Sequence, residues 1–171
     1  MKLARVAEIL KTGPAVVERG TIPVDGDLFI PSVGEIDMIG INAGRLILAC
    51  VVGELQSRHL RQIPEICRWA RENSRLLAHA YRAKGLSAGF SISVWYLCTE
   101  VEPEAQLLLP SLGEFSLNIY LYRASGKSLK VERLGGKPRA DIIKIPTNIN
   151  FELSEKELGA FLSADDEITY T

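Results

Sequence analysis

Apolar positions follow helical spacing at the start of the chain, strand spacing next, and helical spacing again in the middle, and each change of period predicts an element. Leu3, Val6, Ile9 and Leu10 recur at steps of three or four, which predicts a short amphipathic helix over Leu3 to Leu10, stopped by Gly13-Pro14. Ala15 to Glu18 reads as a first short strand. Gly20 to Pro31, holding Pro23, Gly26 and Pro31, reads as a loop. The segments Glu35 to Ile41 and Arg45 to Val52 are rich in β-branched and aliphatic residues and are joined by Asn42, Ala43 and Gly44. They predict a hairpin at the heart of a sheet.

Helical spacing returns between Ser57 and Lys84 through Ile63, Ile66, Cys67, Ala70, Leu77, Ala80 and Tyr81. Pro64 fits only a first turn, so one long helix is expected from Ile63 to Lys84, ended by Gly85, with Ser57 to Gln62 as an irregular lead-in. Phe90 to Val101 is dense in aromatic and β-branched residues and predicts a buried strand, so the helix before it is a crossover, right-handed by rule. Phe115 to Tyr122 alternates apolar with polar and aromatic residues, and Ala124 to Lys127 turns it into Leu129 to Leu134 as an antiparallel hairpin. Gly135 to Pro138 breaks that strand, Asp141 to Ile145 reads as another short one, and the capping box Ser154-Glu155-Lys156-Glu157 opens a helix to Leu162.

This order predicts an α/β fold: a mixed central sheet of four or more strands flanked by helices, with a C-terminal antiparallel hairpin extension. The chain of 171 residues, 47% apolar and 24% charged, suits a single domain. Residues 1–101 form its α/β core, and 102–171 the hairpin extension with an acidic C-terminal helix. A net charge of -1 excludes a general nucleic-acid coat protein, so contact with phosphates needs a local basic patch. Arg68, Arg71, Arg75 and Arg82 share an arc of about 60° on the expected helix and read first as a solvated face, second as such a patch. A second basic stretch runs from Arg123 to Lys144, seven basic residues against two acidic. Residues Phe151 to Thr171 oppose it with six acids and one lysine.

Cys50, Cys67 and Cys98 are an odd number without metal-site spacing and sit in apolar settings, which points to buried thiols and a reducing, cytoplasmic location. Arg5 and Glu8 interrupt the amino-terminal segment, so no signal peptide is expected, and no apolar run is long enough to cross a bilayer. His59, in a polar lead-in, and His79, among apolar helix residues, read as structural. Trp69, Trp95, Tyr96, Tyr120 and Tyr122 read as packing residues.

The chemistry centres on Glu35 and Asp37, two apart and so on one face of a strand. Carboxylates at a strand start are most simply solvated or ion-paired. Yet Gly34-Glu35-Ile36-Asp37, leading into Met38-Ile39-Gly40, resembles the first half of the motif of PD-(D/E)xK nucleases, the restriction-endonuclease-like superfamily that includes Holliday junction resolvases. The resemblance covers Leu3 to Val101, where the order of helix, strands, long helix and strand is similar. It implies a restriction-endonuclease-like sheet and divalent cations, Mg above all, bound by an aspartate, matched here by Asp37, and by a later glutamate. It also implies a lysine two residues after the glutamate, positioning the attacking water.

Thirteen residues past Asp37 the glutamate position holds Cys50, and the lysine position holds Val52. Magnesium needs hard oxygen ligands, so Asp37 with Glu35 would hold it weakly; a thiol is a soft ligand, and valine offers neither charge nor hydrogen bond. The first expectation is a degenerate, catalytically inactive nuclease-fold protein. It would serve as a binding or structural module for nucleic acid or a protein partner, or as a homodimer through its hairpin extension. The second is an Mg-dependent DNA endonuclease with ligands relocated among Glu18, Glu35, Asp37 and Glu54, with Glu8, and Gln62 beside Arg68, as auxiliary groups.

Overall fold

A computed structural model describes residues 3–125 and 128–134. Helix α1 (Leu3–Thr12) leads into strands β1 (Ile22–Ile30), β2 (Gly34–Asn42) and β3 (Arg45–Val51). A two-residue strand β4 (Glu54–Leu55) precedes helices α2 (Ser57–Arg61), α3 (Ile63–Glu72) and α4 (Ser74–Ala80). Strand β5 (Ile92–Cys98), a short β6 (Glu100–Val101), helix α5 (Pro103–Leu108), β7 (Leu117–Ser125) and β8 (Ser128–Leu134) complete the described chain.

Six strands form one sheet in the order β1-β2-β3-β5-β7-β8, with β3, β5 and β7 parallel and both margins antiparallel. This is the expected mixed sheet with its C-terminal hairpin. The hairpin is joined directly to the core, because β7 pairs with β5 from Val94↔Leu117 to Cys98↔Leu121. Beyond the ends of β3 and β5 the chain bends, and β4 and β6 pair again as a separate parallel ribbon.

The β2–β3 turn is the tight kind that a right-twisted hairpin favours. Asn42 pairs with Arg45, and Ala43 and Gly44 between them both have positive φ, 49° and 76°. Strand β3, antiparallel to β2 and parallel to β5, is buried on both faces because helices cover both sides of the sheet there. Leu46 and Leu48 pack under the helices that follow, with Ile63, Ile66 and Ala70, whereas Ile47 and Ala49 pack with Val6 and Leu10 of α1. Trp95 lies on the α1 side, edge-on to Tyr120 at 5.3 Å between ring centroids.

Several expectations are corrected. Ala15 to Glu18 is not a strand, since Pro14–Val16 forms a 3-10 turn, and the expected loop at Gly20 to Pro31 contains β1. The apparent breakers fit because β1 is an edge strand, where Pro23 needs no ladder partner for its missing N–H and where a bulge is tolerated. The register does slip between Pro23 and Asp25, and Asp27 adopts φ 54°. The expected long helix is divided as well. Ser57–Arg61 is already helical, and Asn73 interrupts the run after it, its side-chain amide donating to the Trp69 carbonyl at 2.8 Å. Gly85 ends the crossover at φ 91°. The expected strand at Asp141 to Ile145, the break at Gly135 to Pro138 and the helix from Glu155 lie outside the described residues. Among the described residues no helix is long and apolar enough to cross a membrane.

Leu48, fully buried at the middle of β3, should be among the most costly positions to truncate. Leu48→Ala is expected to destabilise the fold by about 2–5 kcal/mol. Leu107→Ala, at a side chain 81% exposed, should stay within about 0.5 kcal/mol, both read by urea unfolding.

Candidate functional site

Pairing between β2 and β3 runs from Asn42↔Arg45 to Met38↔Ala49 and then stops. Beyond that point β2 stays with β1, through Leu28↔Ile36 and Phe29↔Glu35, while β3 stays with β5 as far as Val51↔Leu97. The strands are drawn to different neighbours and part. A cleft of about 380 Å³ opens between their ends, with Glu35 and Asp37 on the β2 side and Cys50, Val51 and Val52 on the β3 side. Helix α2 and the residue after it supply Arg58, His59 and Gln62, and Tyr96 of β5 lines it from beneath.

Asp37 bridges the split. Its Oδ2 accepts the backbone N–H of Val51 at 2.7 Å, replacing with a side chain the ladder bond that the diverging backbones no longer make. The carboxyl is nonetheless pushed above the ordinary carboxylate range, chiefly by burial and further by Glu35, with the Val51 N–H and Lys11 opposing the shift. Burial, then the charge of Asp37, raises the Cys50 thiol to about 12, so Cys50 is neither a thiolate nucleophile nor a ready ligand at neutral pH.

The far wall is held by specific hydrogen bonds. Gln62 Nε2 donates to the Val33 carbonyl at 3.0 Å, tying the α2–α3 junction to the β1–β2 turn. Tyr96 donates its hydroxyl to the His59 carbonyl at 2.9 Å, and the Gln56 backbone N–H donates to His59 Nδ1 at 3.0 Å. Burial, then the neighbouring Arg58, lowers the His59 pKa below the ordinary histidine value, so the ring is neutral at pH 7.

Glu35, Asp37, Cys50, Val52 and Gln62 are therefore brought together; the other candidates are not. Glu18 is ion-paired to Arg45 and accepts from Asn42 Nδ2 at 2.7 Å, at the turn end of the hairpin, about 17 Å along β2 from Asp37. Glu8 pairs with Lys11 at 2.9 Å. Glu54 is exposed on β4 and accepts from Gln56 Nε2 at 3.0 Å, away from the cleft lining. Arg68, Arg71, Arg75 and Arg82 are all exposed. Arg68 pairs with Glu65 and, at 4.0 Å, with Glu72, while the other three make no ion pair among the described residues.

Sequence reasoning missed three contributors: the Val51 N–H, Arg58 and His59. The Val51 N–H reaches Asp37 where the strands part, and Arg58 and His59 line the same cleft from α2, where the spacing of Gln56 and His59 carries a capping signal. Lys11 was also missed as a neighbour of this region. It bridges Glu8 and Asp27, at 2.9 and 2.6 Å, with its stem against Gly26.

The donor set does not fit magnesium. Among the described residues no three His, Cys, Asp or Glu side chains converge closely enough to hold a metal ion, and one Asp37 oxygen is committed to Val51. The group facing Asp37 is a protonated sulfur rather than a carboxylate.

No protein-family model and no curated protein sequence matches the chain. Solved structures do. EndoMS in its apo form aligns with TM-score 0.52 at 16% identity, over 74% of this chain and 48% of its own. A repair endonuclease from Pyrococcus abyssi aligns at 0.48 and 17% identity, over 70% and 46%, and an EndoMS complex with double-stranded DNA at 0.48 and 17%, over 71% and 45%. The chain spans about half the length of these proteins, and the alignment with apo EndoMS shows a shared nuclease-type fold.

The raised Asp37 pKa fixes a sign. Ionised Asp37 weakens the fold at neutral pH, and the penalty is relieved as pH falls through the raised native pKa. Asp37→Asn keeps an oxygen for Val51 and carries no charge. It should melt higher than the unmodified protein at pH 7, with the difference shrinking towards pH 4. A lower melting temperature at pH 7 would contradict the electrostatic account.

Proposed function

We propose that this chain is a nuclease-fold module that binds nucleic acid without hydrolysing it. One observation carries the loss of hydrolysis: the cleft wall facing Asp37 is made of Cys50 and Val52. Phosphodiester hydrolysis on this scaffold, as the resemblance implies, needs a second carboxylate for the cation and a cation-bearing side chain beside the water. Cys50 supplies a buried thiol raised to about 12 and Val52 an aliphatic stem, so neither task has an occupant.

Charge distribution supports binding. The crossover from Ser57 to Lys84 has seven basic and two acidic residues in a protein of net charge -1, and Arg71, Arg75 and Arg82 are exposed on it. Among the described residues these three make no ion pair, and guanidiniums on a helical surface suit phosphate oxygens, which they meet as planar forks. The second basic stretch is partly engaged inside the sheet, where Arg133 donates to Asn118 Oδ1.

Two measurements test this reading. Duplex, single-stranded and branched DNA incubated with magnesium or manganese should remain intact; cleavage that disappears in Asp37→Ala would replace this reading with a working metal nuclease. Binding should weaken steeply with salt. Replacing Arg71, Arg75 and Arg82 together by Ala should lower affinity at least tenfold and reduce the log–log salt slope by roughly three, about 0.9 for each lost phosphate contact. Affinity that survives the triple substitution would place the contact elsewhere.

A further inference from the structure

We propose that His59 is a proton-operated latch on the cleft wall: uncharged, it holds the first turn of α2 in place, and protonated, it releases that turn. The geometry supplies the coupling. His59 is the third residue of α2, and its Nδ1 accepts the backbone N–H of Gln56, the residue that caps the helix. A ring nitrogen that accepts a hydrogen bond carries no proton, and an imidazolium has only donors. Protonation therefore removes the acceptor and sets two N–H groups against each other across 3.0 Å.

The same residue carries the wall, because its carbonyl takes the Tyr96 hydroxyl from β5 and its side chain lines the cleft with neighbouring Arg58. Release of the turn thus alters the cleft and the arginine at its mouth together. The charges around the ring are specified. Arg58, on the same helix, opposes protonation, and Glu102, which precedes α5 and accepts the Ser57 N–H at 3.0 Å, favours it. Tyr96 of β5 lies 6.2 Å from the ring between centroids, and Glu35 and Asp37 of β2 and Cys50 of β3 line the same cleft. Burial and Arg58 keep the neutral form dominant at pH 7, so the latch is closed there and opens on the acid side of the ordinary histidine value.

The test is an NMR titration of the full chain between pH 7.5 and 5, in a His79→Gln background that leaves one imidazole. It follows the His59 ring signal and the hydrogen-exchange protection factor of the Gln56 amide. Protection of Gln56 should fall on the order of tenfold, with a midpoint matching that of the ring. His59→Asn, whose side-chain oxygen accepts in either pH range, should hold Gln56 protection flat, while Glu102→Gln should keep the fall.

Three results would overturn the proposal. Protection could stay constant in the parent while the His59 ring titrates. The fall could persist in His59→Asn, or it could vanish in Glu102→Gln while the His59 ring still titrates, which would assign the effect to the Glu102 carboxylate. Should His59→Asn not fold, agreement or disagreement of the two midpoints in the parent still decides it.

Discussion

One missing stretch of strand pairing organises this protein. β2 and β3 are paired from their turn only as far as Met38↔Ala49, after which each is claimed by its outer neighbour. Backbone groups at such a split need partners, and the Asp37 carboxylate provides one by accepting the Val51 N–H at 2.7 Å. The bond joins the two walls of the cleft at its inner end and turns Asp37 towards Cys50. It also draws a charged group into a half-buried place, which explains why the same side chain raises the thiol of Cys50 as well as bearing a raised pKa of its own.

From this geometry the chemistry follows by residue type. Two carboxylates on β2 could contribute to a cation site only if the opposing strand added hard ligands, because dehydrating magnesium is not offset by one partly committed carboxylate. The opposing strand offers sulfur and valine. What the cleft keeps is a mixed lining with a neutral imidazole, an amide and an arginine on the helical side. Outside the cleft, Arg71, Arg75 and Arg82 stand exposed on the crossover.

Much of the fold was legible where local chemistry and tertiary context agree. Asn42-Ala43-Gly44 named its hairpin because left-handed turn residues have few other uses, and the strand dense in aromatic and β-branched residues, Ile92–Cys98, named its parallel core position. Strand β1 was illegible because Pro23 and Gly26 signal loops unless one knows that the segment lies at a sheet edge. The expected helix divides at Asn73, whose backbone N–H and side-chain amide both donate to the Trp69 carbonyl, and periodicity does not register such a local bond.

The site divides in the same way. Glu35, Asp37, Cys50 and Val52 could be grouped by strand spacing alone, since period two puts them on facing walls once the hairpin is assumed. The Val51 N–H, Arg58 and His59 could not be, because the first depends on where β2 and β3 part and the other two on how α2 packs over the cleft. Glu18 and Glu54 were chemically plausible relocated ligands, but Glu18 is ion-paired at the opposite end of the hairpin and Glu54 lies on the outlying ribbon.

The measurement that reaches the central claim most directly is a calorimetric magnesium titration of the unmodified protein beside the Cys50→Glu, Val52→Lys double variant. The account requires no saturable magnesium binding by the unmodified chain at millimolar ion, and measurable binding once a carboxylate faces Asp37. Tight binding by the unmodified protein, abolished in Asp37→Ala, would contradict it.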